Sequence, residues 1–358
     1  MEHVVVYREP GRFAGWPANF GMWSWDREIV VGFTVGHLDP TRVGTHACDA
    51  NRPFMPMQAR SLDGGYTWQV IPTPCKTPGG RGISADEHVA DHLKVQSVID
   101  RPGELMDPPG DIDFMHPDFA LMCARTGLHS GSRSWFYTTY DRCNTWQGPY
   151  ALPLFGQSGV NARTAYIVDN AHTCTLFLSV TKTNGREGRV LCTRTADAGA
   201  SFRMRSLVVA DPPGYAIMPA CLRLENGGIL VAVRCSGDPT GYIEMYRSDD
   251  DALTWRLVSR PVPNTGRGGN PPTLTQLLDG RLCITYGYRS EPYGIRAVLS
   301  EDQGVTWSEP IALRSDAGNR DIGYPRTVQR DDGVLVTVYY YNDAPASERY
   351  IAATLWQP

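Results

Sequence analysis

Ser61-Leu62-Asp63-Gly64-Gly65-Tyr66-Thr67-Trp68 is the first of five copies of one eight-residue pattern in this 358-residue chain; the others start at Thr139, Thr195, Ser248 and Ser300. The common form is S/T-x-D-x-G-x-S/T-W/F, and each position has a task in a tight β-hairpin turn. Asp63, Asp141, Asp197, Asp250 and Asp302 can accept backbone N–H bonds inside the turn, and the small fifth residue allows a positive φ. Two copies replace that glycine, with Cys143 and Ala252. Trp68, Trp146, Phe202, Trp255 and Trp307 are expected to tuck an aromatic ring between neighbouring sheets. Such turns staple structure and seldom do chemistry.

The repeat starts are 78, 56, 53 and 52 residues apart, about one four-stranded propeller blade with its loops. Blade five reads as strand A at 272–278, B at 281–286 and C at 294–299. The turn follows, and then strand D near 310–313. Blade four repeats this from Pro219, blade three from Arg163 and blade one from Pro17. Blade six has A at 325–329, B at 334–340 and C at 350–355, and then the chain ends one strand short. The spare strand His3 to Tyr7 is expected to complete it and leave no free edge. The fold class is therefore all-β: a six-bladed propeller of four-stranded antiparallel blades closed by the N-terminal strand, one domain over 1–358. Blade two carries an insertion at about 72–109, within which Ala85 to Val95 reads as a short helix.

Composition excludes some functions and leaves others open. A net charge of -4 with 20% charged residues gives no reason to expect nucleic acid or an anionic membrane as a partner. The nine cysteines lack any CxxC pair and mostly sit in apolar strand runs, which reads as buried free thiols. With Met1-Glu2-His3-Val4-Val5-Val6 lacking a basic leader, a cytoplasmic setting is expected, although a removed signal peptide would leave the same picture. Oligomeric state is not readable.

In an up-and-down blade the A-strand starts and the B–C loops share one face, and the Asp turns lie on the other. The first face collects the long loop Gly36 to Pro53, with His37, Asp39, His46 and Asp49, and the whole insertion. Long loops on one face of a rigid scaffold are where binding sites are built. The B-strand ends add His37, Arg125, Lys182, Arg234, Arg289 and Tyr341, a largely cationic ring suited to a carboxylate, sulfate or phosphate. The competing reading is that these cations pair with Asp111, Asp113, Asp238, Asp321 or Asp343 and only hold loops. Asp111 and Asp113, two apart on an expected innermost strand, would face the pit as a carboxylate pair of the kind glycosidases use. The pair His88 and His92, at i and i+4, has the outline of a zinc helix, but no third ligand can be named. No metal or cofactor is expected.

These turns and the six-blade arithmetic resemble the sialidase (neuraminidase) superfamily, whose Asp-box or BNR repeats take this form. The resemblance covers the whole chain and implies fold more specifically than activity. It implies a carboxylate held by three arginines, a tyrosine nucleophile assisted by a glutamate, and an aspartate acid/base. Arg234 and Arg289 match two of the arginines, Tyr324 matches the tyrosine, and Asp39 occupies the acid/base region. Gly15, in Ala14-Gly15-Trp16-Pro17, stands where the first arginine belongs, with Arg8 or Arg12 as possible compensation. Met218 stands where the glutamate belongs, which puts ordinary sialidase activity in doubt. Sialidase-like relatives also tend to read A-R-T-D-Y where this chain has Ala162-Arg163-Thr164-Ala165-Tyr166, so Ala165 is a candidate for a replaced aspartate facing the pit beside Arg163.

The leading expectation is an exo-acting glycoside hydrolase holding an acidic sugar against Arg163, Arg234, Arg289 and Arg326, with Arg125, Lys182 and Trp16 as further contacts. Asp39 or Asp49 is the expected acid/base, Asp113 its partner, and Tyr324 lies near the reacting carbon. A polysaccharide lyase using His37 or Tyr324 as base is the second reading. A non-catalytic carbohydrate-binding propeller is the third.

Overall fold

The computed structural model describes residues 1–42, 46–236 and 239–358. Its strands form six antiparallel sheets arranged as propeller blades. Blade six is built from Gly323–Gln329, Leu335–Tyr341 and Tyr350–Trp356, and Glu2–Tyr7 pairs with the last of these, so the N-terminal strand closes the ring as expected. Blades four and five have four strands each. The observed bounds of blade five, such as Leu282–Tyr288 and Gly294–Ser300, fall within two residues of the sequence reading, while blade four opens at Ala216, three residues before the expected Pro219.

All five Asp turns form. In the first, Asp63 Oδ1 accepts from Ser61 Oγ at 2.8 Å and from the amides of Tyr66 and Thr67 at 3.0 Å, while Oδ2 accepts from Thr67 Oγ1 at 2.6 Å. This local network is strong enough to hold non-glycine residues in the left-handed region, since Cys143 has φ 65° and Ala252 has φ 64°. The aromatic residues that follow stitch blades together. Trp146 donates to Gln58 of blade one, Trp255 to Ser206 of blade three, and Trp307 to Ser259 of blade four.

Blade two departs from the four-strand plan. Only Ala120–Arg125, Ser134–Thr139 and Gln147–Ala151 pair, and the innermost strand is missing among the described residues. The inner-edge amides of Ala120–Arg125 are capped by side-chain hydroxyls instead. Leu121 N donates to Tyr166 Oη at 3.4 Å, Cys123 N to Thr164 Oγ1 at 3.0 Å and Arg125 N to Ser84 Oγ at 3.3 Å. Buried backbone donors need partners, and three hydroxyls supply what a strand would have. Asp111 and Asp113 are consequently not on an inner strand. The adjacent amides of Ile112 and Phe114 bond Ala198 and Ala171 of blade three, which places Asp113 on the Asp-turn face, away from the pit. The expected helix at 85–95 is also absent. Three short 3-10 turns stand there, Asp86–His88, Asp91–Leu93 and Val95–Ser97, because Asp86 spends both carboxylate oxygens on the amides of Val95 and Gln96 and folds the segment back on itself.

All nine cysteines are free thiols, seven of them buried. No helix among the described residues is long and apolar enough to cross a membrane.

Candidate active site

Three A strands share a bulge at their pit end. Trp16, Met218 and Tyr324 each precede a proline and each has a positive φ, 61°, 52° and 51°. The ladders of blades four and six shift register at that point. Holding a bulky residue in this conformation is strained, and strain of this kind collects at sites where a side chain must be aimed.

The pit above these bulges is a cavity of about 470 Å³. Tyr324 and Arg234 line its centre, Glu187, Arg163 and Arg186 one wall, and His46, Glu87 and His88 the other. Arg234 is 9% exposed and donates to the Tyr324 hydroxyl at 3.2 Å, to the Gly268 carbonyl and to the Met218 sulfur. No carboxylate pairs with it among the described residues, and its Nε is buried without a partner. Burial works to raise the Tyr324 pKa, but Arg234, Arg289 and Arg163 together outweigh it and hold the phenol below its ordinary value. Arg289 acts through this field alone. Its guanidinium is spent on the Ile322 and Gly269 carbonyls and the Tyr340 hydroxyl, and it sits 5.5 Å from the Tyr324 ring centre.

Both pit glutamates are ion-paired. Glu187 binds Arg163, with side chains 5% and 6% exposed, and Glu87 binds the fully buried Arg125. Burial opposes ionisation of Glu87, yet Arg125 and His88 win and its pKa is lowered. His88 is pushed down to about 3, first by burial and then by His46, so it is neutral near pH 7. His46 lies 3.2 Å from Asp321. Asp321 is itself buried and also accepts from Arg349 Nε at 2.8 Å, Tyr340 Oη at 2.9 Å and Ala47 N at 3.1 Å. Despite the burial, His46 and Arg349 keep this carboxyl far below the usual range. Among the described residues no group of three or more His, Cys, Asp or Glu could hold a metal ion.

The pit thus unites Tyr324, Arg234 and Arg163 of the expected set, with Arg125 behind Glu87. Other expected residues lie elsewhere. Asp39 is outside the pit lining and turns its carboxylate onto Thr41, whose hydroxyl and amide lower its pKa. Asp49 accepts from the Asn51 amide. His37 stacks its ring nitrogens against Arg12 Nη1, and burial lowers its pKa. Lys182 Nζ bonds the carbonyls of Pro212 and Gly214. Trp16 is 1% exposed and serves as the floor under His88, with ring centres 4.3 Å apart. Gly15 has no room for an arginine, because a Cβ there would meet the Phe13 ring at 2.9 Å. Arg8 pairs with Asp343 and Glu348 and does not reach the pit. Asp238 lies outside the described residues. Ala165 does not share the pit with Arg163. The chain between Val160–Asn161 and Tyr166–Asn170 is not a regular strand, so alternation fails and Ala165 faces a second cavity below, together with Arg326. Of the residues that sequence reasoning missed, Glu87 stands in the flagged insertion and Glu187 next to Arg186 on the B–C side of blade three. Both sat on the right face, but nothing marked them as pit residues.

The chain belongs to the family of BNR repeat-like domains, whose model matches residues 119–338. Among solved structures it is similar to a Dyadobacter fermentans protein of unknown function, at 20% identity and a TM-score of 0.75, covering 99% of this chain and 97% of that one. It is also similar to a Hadza microbial sialidase, at 14% identity and TM-score 0.62, over 97% of this chain and 66% of that one. An α-L-arabinofuranosidase of Fusarium graminearum matches at 13% identity and TM-score 0.60, over 100% and 98%. At such identities the likeness is one of fold, the propeller that these glycosidases share. No curated protein matches the sequence.

Proposed function

We propose that the protein is an exo-acting glycoside hydrolase that takes the end of a carboxylate-bearing sugar into the pit. The observation that carries this reading is the Tyr324 phenol, buried at a strained bulge and acidified by Arg234, Arg289 and Arg163. A phenol of ordinary pKa is a poor nucleophile near neutral pH, and the sialidase pattern remedies that with a glutamate. Met218 removes the glutamate here, and three guanidinium groups take over by stabilising the phenolate.

In this reading Tyr324 attacks the anomeric carbon while His46 gives its proton to the leaving oxygen. His46 then draws a proton from the water that releases the sugar. Asp321 stabilises the charged form of the imidazole, in which Nδ1 turns from accepting the Trp16 Nε1 proton to donating to the carboxylate. Arg234 and Arg186, whose guanidinium has no acid partner among the described residues, receive the sugar carboxylate. The named activities of the sialidase and arabinofuranosidase neighbours support hydrolysis as the reaction class.

A lyase is the second reading, favoured by one observation: Glu87 and Glu187 are both ion-paired, and an acidified tyrosine beside a histidine serves proton abstraction as well as nucleophilic attack. One experiment separates them. Incubation with aryl glycosides of sialic and uronic acids, and with uronate polymers, is expected to release the aglycone with no ultraviolet absorption from an unsaturated sugar. Unsaturated products would convert the reading to the lyase, and binding without any product would convert it to a carbohydrate-binding propeller.

A further inference from the structure

The central channel does not end at the pit. Below it, on the Asp-turn side, lies a second cavity of about 330 Å³ whose wall includes Ala165, Tyr166, Cys221, Thr273, Leu274 and Arg326. Arg326 forms the partition. Its Nη2 donates to the Ala18 carbonyl at 2.8 Å and the Thr164 carbonyl at 2.7 Å, which pins the guanidinium across the channel. Its Nε is buried with no partner, and Nη1 bonds nothing among the described residues.

No acid answers this cation among the described residues. The groups that act on it electrostatically are Cys221, Tyr166 and Cys123. Burial raises the pKa of all three, Cys123 to about 12, so each is neutral near pH 7. Burial lowers Arg326 itself to about 10, which still leaves it charged. Two of the three hydroxyls in the wall have spent their protons, and the third, Tyr166, donates to nothing among the described residues. Thr273 Oγ1 donates to the Pro325 carbonyl at 2.7 Å, Thr164 Oγ1 to the Phe20 carbonyl, and Tyr166 Oη already accepts from Trp23 and Leu121. A part-buried charge with an orphan donor, opening onto a cavity, calls for a counter-ion.

We propose that Arg326 and this cavity bind a small, weakly hydrated monoanion of the halide class. The chemistry selects that class. One guanidinium edge and the free proton of the Tyr166 hydroxyl can neutralise a single charge, but they offer too few donors to replace the hydration of sulfate or phosphate. Ala165 is what leaves the site open, because its small side chain stands in the wall where a carboxylate would satisfy Arg326 internally. This site is independent of the sugar reading, since Arg326 does not line the pit.

The test is thermal unfolding of the full chain with bromide replacing gluconate at constant ionic strength, together with anomalous diffraction from crystals soaked in bromide. The wild type is expected to show a saturating rise in Tm of about 2 °C or more, and one anomalous peak within hydrogen-bonding reach of Arg326. Ala165→Asp places a carboxylate in the wall and is expected to abolish both signals, as is Arg326→Met. A wild type with no saturating response and no peak overturns the proposal, whichever variants fold. An unchanged bromide response in either folded variant overturns it too.

Discussion

The two faces of this propeller carry charged groups of opposite kinds. On the Asp-turn face the five motif aspartates, Asp63, Asp141, Asp197, Asp250 and Asp302, are each satisfied within their own eight residues: Asp302 takes bonds from Ser300, Val305 and Thr306. On the pit face the central contacts cross between blades. Arg234 of blade four meets Tyr324 of blade six, and Asp321 before blade six meets His46 of blade one. A charge satisfied locally is closed to a ligand, while one assembled across blades, with Arg234 left short of an acid, is open to it. The difference teaches why a motif repeated five times marks the face opposite the pit.

The comparison breaks most visibly at Tyr324. Tyr324→Phe is expected to lower kcat/KM on an anionic aryl glycoside by about 10²–10⁴-fold with an unchanged circular dichroism spectrum; a variant of near wild-type activity would remove the pit's claim to chemistry. Next in size is Glu187→Gln, which strands Arg163 in a pair whose side chains are 5% and 6% exposed. A loss of about 3 kcal/mol is expected, read from the urea midpoint at constant m-value. Arg234→Met should weaken binding of a carboxylate-bearing sugar by about 10-fold or more and leave a neutral sugar nearly untouched; calorimetry on both sugars checks it, and equal losses would defeat the charge argument. The same variant removes the first of the charges that acidify Tyr324, so the phenol's ultraviolet titration should move to higher pH.

The smallest effect belongs to the other face. Asp302→Asn is expected to lower Tm slightly and leave kcat/KM unchanged. The five Asp-turn carboxyls lie below their ordinary pKa in the fold, Asp250 and Asp302 at about 2, chiefly through the hydroxyl and amide of the threonine four residues on. A depressed carboxyl stabilises the fold above its unfolded pKa near 4 and loses that contribution as pH falls through the folded value. Stability should therefore decline between about pH 4 and pH 2, less steeply in Asp302→Asn.

The candidate site was legible in part. Blade register put Arg234, Arg289 and Tyr324 at the right ends of the right strands, since a strand's period of two and a repeat near 52 residues leave little freedom. Asp39 and Asp113 were misjudged because proximity in a loop does not tell which way a carboxylate turns. Thr41 captures the first, and blade two's missing inner strand carries the second to the opposite face. Glu87 and Glu187 carried no pattern of their own; what makes them pit residues is Arg125 and Arg163, each 24 or more positions away.

By itself the sequence determined the six blades, the closure by the N-terminal strand and the face that holds the pit, because these follow from local turn chemistry repeated in register. Only the tertiary structure decided that Tyr324 is acidified without a glutamate, that His46 and not Asp39 brings its loop into the pit, and that Arg326 faces a separate cavity. Those outcomes depend on electric fields and hydrogen bonds summed across blades, and no local pattern encodes such sums.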